Sequence, residues 1–159
     1  MVSKQSKAPQ ESYTEMSKLM TPLDVYFYGK VHGGVIMALA DQAAYVCAAK
    51  HSGKYCVTAR VDSVNFHSPI DIGELVTFKC TVNYVYKTSM EIGVRVEAEN
   101  PVTGKKRHTT TCYVTMVAIN SKGKPVHVPA LAPKTQDEKR RFLLAEKRRE
   151  QRLQERKGK

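Results

Sequence analysis

The sequence lacks an apolar run long enough to cross a membrane. A spanning helix takes roughly 20 consecutive apolar residues, whereas residues 35–49 form a shorter run broken by Asp41 and Gln42. No secretory leader is expected, because MVSKQSKAPQESYTEMSK has lysines with no apolar segment behind them. Paired cysteines are lacking as well. Cys47, Cys56, Cys80 and Cys112 stand singly, without the spacings that hold zinc or form a redox dithiol. The expectation is a cytoplasmic protein with no membrane partner and no metal, its thiols reduced and used as small core hydrophobes. Acidic residues are scarce: 15 Asp and Glu stand against 26 Lys and Arg, for a net charge of +11. Residues 134–159 hold eleven of those cations and five of the acids, so a surplus of six lies in this terminal stretch. Such a surface favours polyanions of any kind: nucleic acid, anionic membrane or phosphate-bearing ligands. The tail has a single phenylalanine and no interleaved aromatics for stacking bases, which argues against nucleic acid as a partner.

What is present suits one domain. A chain of 159 residues with 42% hydrophobic content can bury a real core. Residues 1–20 are polar and are expected to be a flexible segment, 21–133 the folded domain, and 134–159 a basic helical tail. Val25, Tyr26, Phe27 and Tyr28 suggest a short strand or extended lead-in. After residue 56 the apolar period becomes two. Val57, Ala59 and Val61 share one face, then Val64 and Phe66 take the opposite parity, which predicts a bulge near Asp62 and Ser63. Val76, Phe78, Cys80, Val82, Tyr84 and Tyr86 alternate in a second strand, and Met90, Ile92, Val94, Val96 and Ala98 in a third. Asn100, Pro101 and Gly104 turn the chain into a fourth strand, from about Arg107 to Asn120, whose apolar second half is expected to be central or covered by a partner. Thr135 with Glu138 forms a capping box for a last helix, expected to be solvated and steadied by pairs such as Asp137 with Arg141.

Residues 31–50, VHGGVIMALADQAAYVCAAK, are expected to organise the rest. Two glycines lead into a helix that is apolar on every side, and such a helix is expected to be buried. Asp41 sits halfway along it. A buried carboxylate costs several kcal/mol unless it is paired, hydrogen-bonded or protonated, so an acid here calls for a reason. One helix followed by four long strands with short connections gives an α+β fold, an antiparallel sheet curled around the helix.

The blocks VHGGVIMALADQAAYVCAAKHSG, VTARVDSVNFHSPIDIGE, YKTSMEIGVRVEAE and YVTMVAINSKGKPVHVP, in this order and spacing, resemble the hotdog-fold acyl-CoA thioesterases of the cytosolic acyl-CoA hydrolase type. The resemblance implies hydrolysis of acyl-CoA with no separate cofactor, in a homo-oligomer built from hotdog dimers, commonly a trimer of dimers. It makes Asp41 the catalytic carboxylate, acting as general base to water or as nucleophile. The amides around Gly33 and Gly34, at a helix N-terminus, are the oxyanion candidates. His32, Asn65, Thr88, Ser89 and Met90 are implied to border the substrate. Arg140 and Arg141 are candidate contacts for the phosphates of CoA. Lys30 departs from the family, in which Asn or Asp often stands just before this block; it is expected to neutralise Asp41 of a partner or to attract phosphate. The alternative reading is a protein that binds acyl-CoA without catalysis, or one that binds nucleic acid through its basic tail.

Overall fold

The computed structural model describes residues 5–158. Helix α1, Gly33–Ser52, starts after an extended His32 and stops at Gly53, whose φ of +67° lets its N–H bond back to the Ala49 carbonyl. Around it curls one antiparallel sheet of five strands: β1 (Thr14–Leu19), β2 (Tyr55–Phe66), β3 (Leu75–Tyr86), β4 (Ser89–Glu99) and β5 (Lys106–Ile119). Their spatial order is β1-β3-β4-β5-β2. The inward set of the strands includes Val76, Phe78, Cys80, Val82, Ile92, Val94, Val96, Val114 and Met116, all buried. It meets Ile36, Ala40, Ala43, Ala44, Cys47 and Ala48 of the helix. The α+β arrangement is the one expected.

Four local features differ from the reading of the sequence. Residues 1–4 lie outside the described residues, but Thr14–Leu19 of the segment expected to be flexible forms β1 and pairs with β3, Met16 opposite Phe78. Its polar sequence suits an edge strand with one solvated face. Of residues 25–28 only Val25 is extended, bridging to Val31; the chain then turns, with the Gly29 N–H bonded to the Tyr26 carbonyl and Phe27 and Tyr28 fully exposed. In β3 the register shifts between Val82 and Tyr84, so Asn83 is an extra residue and the alternation changes face there. Val85 therefore packs against the core, while Tyr84 points to the other side of the sheet. Along β5 buried and half-buried residues alternate, so that strand is central without being buried on both faces. The bulge expected in β2 is present, with a register shift between Asp62 and Asn65 and Ser63 at φ +50°.

Helix α2, Gln136–Lys157, is capped as expected, with Thr135 accepting from the Glu138 N–H and the Glu138 carboxylate accepting from the Thr135 N–H. The Arg141–Asp137 pair forms at 2.6 Å. The helix is nevertheless docked across the outer face of the sheet, where a solvated tail was expected. Phe142 packs on Tyr84 with ring centroids 4.9 Å apart, and the Arg148 and Arg149 guanidiniums sit over the rings of Tyr113 and Tyr86 at 3.7 and 3.5 Å. Arg148 donates two hydrogen bonds to Glu91, at 2.6 and 3.2 Å, and Arg152 approaches the same carboxylate at 3.7 Å. Hydrophobic periodicity does not register contacts made by guanidinium groups, so the apolar pattern alone points to a solvated helix.

Glu91 is only 3% exposed, so its carboxylate takes its hydrogen bonds from arginine in place of water. Arg148→Ala is expected to cost about 2–4 kcal/mol of stability by leaving a buried carboxylate short of its main partner. The double change Glu91→Leu with Arg148→Met removes both charges and is expected to cost less than the single change. Urea unfolding of the three proteins checks the order, and a double variant less stable than Arg148→Ala contradicts it.

Candidate active site

One sheet covers only one side of α1. Gly34, Ala38, Gln42, Val46 and Lys50, one residue per turn, are exposed along the other side, with Met37, Asp41 and Tyr45 half-buried beside them. The expected burial of the helix on all sides is thus not found in the single chain. Alanines on both faces hid the sidedness from the sequence.

Asp41 borders this open face. Thr58 of β2 donates a hydrogen bond to Asp41 Oδ1 at 2.5 Å, which orients the carboxylate and leaves Oδ2 without a partner among the described residues. Thr58, Met116 and Met90 are directly opposite one another across β2, β5 and β4, and the Thr58 hydroxyl lies 3.5 Å from Met116 Sδ. The acid is therefore reached from solvent on one side and backed by thioether and apolar side chains on the other. Thr58 was not singled out from the sequence. It lies in the polar half of an alternating strand, 17 positions from Asp41, and no local pattern joins the two.

At the N-terminus of α1, His32 is the cap residue, and its carbonyl accepts from the Val35 and Ile36 N–H groups at 3.1 and 3.4 Å. The N–H groups of Gly33 and Gly34 have no acceptor among the described residues and point along the positive end of the helix dipole. A Cβ at position 33 would touch the Phe66 ring at 3.3 Å, whereas one at 34 would meet nothing within 4 Å. Packing thus accounts for one glycine and leaves open space in front of the other. The His32 ring lies against Tyr26, centroids 3.6 Å apart. Lys30 is held in an ion pair and a backbone bridge with Asp71, so it is already partnered within its own chain.

Eight residues of helix separate Gly33 from Asp41, about 12 Å at 1.5 Å per residue. One chain therefore does not bring its carboxylate and its amide edge onto a single carbonyl group. The other candidates are also distributed. Met90 belongs to the core behind Thr58; Ser89 donates to the Tyr86 carbonyl in the β3–β4 turn, and the Thr88 carbonyl accepts from the Ala118 N–H. Asn65 is exposed and donates to the Ser63 carbonyl at 3.0 Å. Arg140 and Arg141 share Asp137 on α2, across the sheet from α1 and so not beside Asp41. A cysteine nucleophile is disfavoured, since burial pushes the thiols of Cys47 and Cys112 up to about 12 and about 11. Among the described residues, no group of three or more His, Cys, Asp or Glu is placed to hold a metal ion.

Residues 28–105 match the family model of the thioesterase superfamily. Protein VdlD of Helicobacter pylori is 44% identical over 137 residues, covering 86% of this chain and 78% of that protein. A hexameric apo acyl-CoA thioesterase superimposes with a TM-score of 0.91 at 37% identity, covering 95% of this chain and 97% of the other. The chain belongs to the hotdog-fold acyl-CoA thioesterases. The acyl-CoA hydrolase of Staphylococcus aureus, solved with butyryl-CoA, CoA and CoA disulfide, superimposes at 0.89 with 33% identity over 96% of this chain and 93% of its own. That hydrolase has also been solved as separate variants in which an aspartate, an asparagine or a threonine is replaced by alanine. In this thioesterase the resemblance seen in the sequence blocks and the three-dimensional likeness coincide.

The hydrogen bond from Thr58 joins two solvent-accessible groups, so it should orient Asp41 more than it stabilises the fold. Thr58→Val is expected to lower stability by no more than about 1 kcal/mol, and Thr58→Ser by less. Urea midpoints test this; a loss of several kcal/mol in the valine variant would make the contact structural.

Proposed function

We propose that this thioesterase hydrolyses acyl-CoA to the free acid and CoA, with Asp41 as general base. The observation that carries this reading is the Asp41–Thr58 pair: a carboxylate at the open face of α1, fixed through one oxygen and, among the described residues, free at the other. The aspartate and threonine changed in the S. aureus hydrolase are 17 positions apart, the separation of Asp41 from Thr58. In that enzyme the asparagine precedes the aspartate by fifteen positions, a count that leads here to Tyr26 and not to Lys30. The departure from the family pattern therefore belongs at Tyr26, whose ring rests on His32.

A water held by Asp41 Oδ2 attacks the thioester carbon while its proton passes to the carboxylate. The carbonyl electron pair moves onto oxygen, and that charge is met by the free N–H groups of Gly33 and Gly34. Collapse of the intermediate breaks the C–S bond, and Asp41 returns the proton to the leaving thiolate. The reaction so written balances with water alone and calls for no cofactor.

Since Gly33 and Asp41 lie about 12 Å apart along the helix axis, the edge facing Asp41 comes from a second copy. Three features support a homo-oligomer. The strand β2 ends the sheet and leaves one backbone edge unpaired among the described residues. It exposes Tyr55, Val57, Val61 and Phe66. The open face of α1 lies next to it, through the Asp41–Thr58 contact. The hexameric neighbour agrees with this state, and a trimer of dimers is the assembly proposed. The acyl-CoA then runs between the copies past His32, Asn65 and the residues 88–90 turn. Four unpaired cysteines suit a reducing compartment, the cytoplasm.

Asp41→Asn keeps the shape of the side chain and removes the base. Its kcat against a panel of acyl-CoAs is expected to fall by at least about 10²-fold, with the fold unchanged by circular dichroism. Equal turnover by the two proteins would remove Asp41 from the chemistry. Tight acyl-CoA binding with no turnover by the wild type would favour the non-catalytic alternative.

A further inference from the structure

The outer face of the sheet contains a cavity that the hydrolytic site does not use. Its floor is built by register: Thr81, Gly93 and Tyr113 are directly opposite one another on β3, β4 and β5, and Lys79, Arg95 and Thr111 form the next row on that face. Gly93 supplies the depression at the centre. A Cβ there would come within 2.5 Å of Asn83 Nδ2, so the absence of a side chain is what lets the bulged Asn83 lie across it. Helix α2 roofs the cavity with Arg140, Arg141, Leu144 and Arg148, enclosing about 330 Å³. That volume lies at the lower end of small-molecule sites.

Two independent observations give this cavity a ligand preference. The first is charge. Its lining contains five cations and, among the described residues, no Asp or Glu. The carboxylates nearby are each shared: Glu97 by Lys79 and Arg95, Asp137 by Arg140 and Arg141, Glu91 by Arg148 and Arg152. One acid for two cations leaves guanidinium donors available to an anion. The second is Asn83, a lining side chain only 4% exposed. Its Nδ2 donates weakly to Glu91 at 3.4 Å, while its Oδ1 has no partner among the described residues. Oδ1 is closed to water in this arrangement, so a bound donor group meets it by turning the Asn83 amide toward the cavity, and thereby removes the desolvation cost of a buried amide oxygen without a donor. An anion alone would not satisfy it; the fitting molecule has both a negative group and an O–H or N–H.

We propose that this cavity binds a small phosphate ester carrying a hydroxyl or amine donor, at a site separate from the acyl-CoA groove. Arg95, Arg140 and Arg141 hold the phosphate, a role that suits the planar guanidinium fork, and Asn83 Oδ1 accepts from the donor group. The groove at Asp41 lies on the α1 side of the sheet and this cavity on the α2 side, so both can be filled at once. Binding here would fasten α2 to β3 and β4.

Calorimetric titration of the full chain with AMP, a phosphate ester with hydroxyl and amine donors, tests the site without any measurement of hydrolysis. Saturable binding near one per chain is expected, unchanged in Asp41→Asn. The combined change Arg95→Ala and Arg141→Ala is expected to weaken it by at least about tenfold, about 1.4 kcal/mol. Asn83→Ala should weaken AMP more than it weakens inorganic phosphate. Melting curves of both variants confirm that they are folded at the titration temperature. The proposal is overturned if wild type shows no saturable AMP binding, or if the double arginine variant binds as tightly as wild type, which is diffuse attraction to a basic surface. It is also overturned if CoA displaces AMP competitively, since the cavity would then be part of the substrate path. None of these outcomes depends on whether Asp41 is catalytic.

Discussion

A single sheet can wrap only one side of a helix, and the rest of this molecule depends on that limit. The sheet takes Ile36, Ala40, Ala43, Ala44, Cys47 and Ala48 and leaves the opposite stripe of α1 uncovered. Asp41 is found where the two sides meet, close enough to β2 to accept a hydrogen bond from Thr58 and open enough to meet water. A helix buried on all sides would have had to neutralise that carboxylate or pair it. A helix exposed on a polar face would have left it in bulk water, without the Thr58 hydroxyl to fix its orientation. Beside it, the apolar side chains on β2 and the small residues on α1 are likewise left without cover among the described residues.

The two faces of the sheet do different work. On the inner face, apolar burial holds the strands to α1. On the outer face, apolar contact is sparse: Ala145 alone is buried on α2. Guanidinium stacking on Tyr86 and Tyr113 and the ion pairs around Glu91 take its place. Part of the basic surplus, which by composition suits any polyanion, is committed to docking this helix through Arg148, Arg149 and Arg152. Lys79, Arg95, Arg140 and Arg141 gather around the Gly93 depression, where the bulge at Asn83 has brought a buried amide.

The helix, the four long strands, the β2 bulge and the α2 capping box were legible in the sequence because each is local: periodicity, turn residues and a cap motif are written within a few positions. Asp41 was legible as an acid in an apolar helix. Its true setting was not, since alanine occupies both faces of α1 and the pattern does not say which face the sheet will take. Thr58 and Glu91 acquire partners from 17 and 57 positions away, and nothing beside them in the chain announces it. The strand β1 escaped notice because an edge strand with a solvated face needs little hydrophobicity. The Asn83 bulge escaped notice because Tyr84 and Tyr86 continue the apolar alternation by residue type while the backbone shifts beneath them.

In the proposed reaction, hydrolysis takes place between two copies, with Asp41 from one and the N–H edge of α1 from the other. Gly33 is the first residue of the helix and follows an extended His32, so proline fits there and removes one N–H, while alanine keeps it against the same Phe66 contact. The direct measurement is acyl-CoA hydrolysis by a refolded one-to-one mixture of Asp41→Asn and Gly33→Pro chains, with Gly33→Ala as the steric control. Each parent is expected to be nearly inactive and Gly33→Ala active. The mixture should recover about a quarter of wild-type activity, because half of the dimers mix and each mixed dimer holds one intact site of two. A mixture no more active than its parents, with mixed dimers shown to form, would place Asp41 and its oxyanion edge in the same chain and contradict the account.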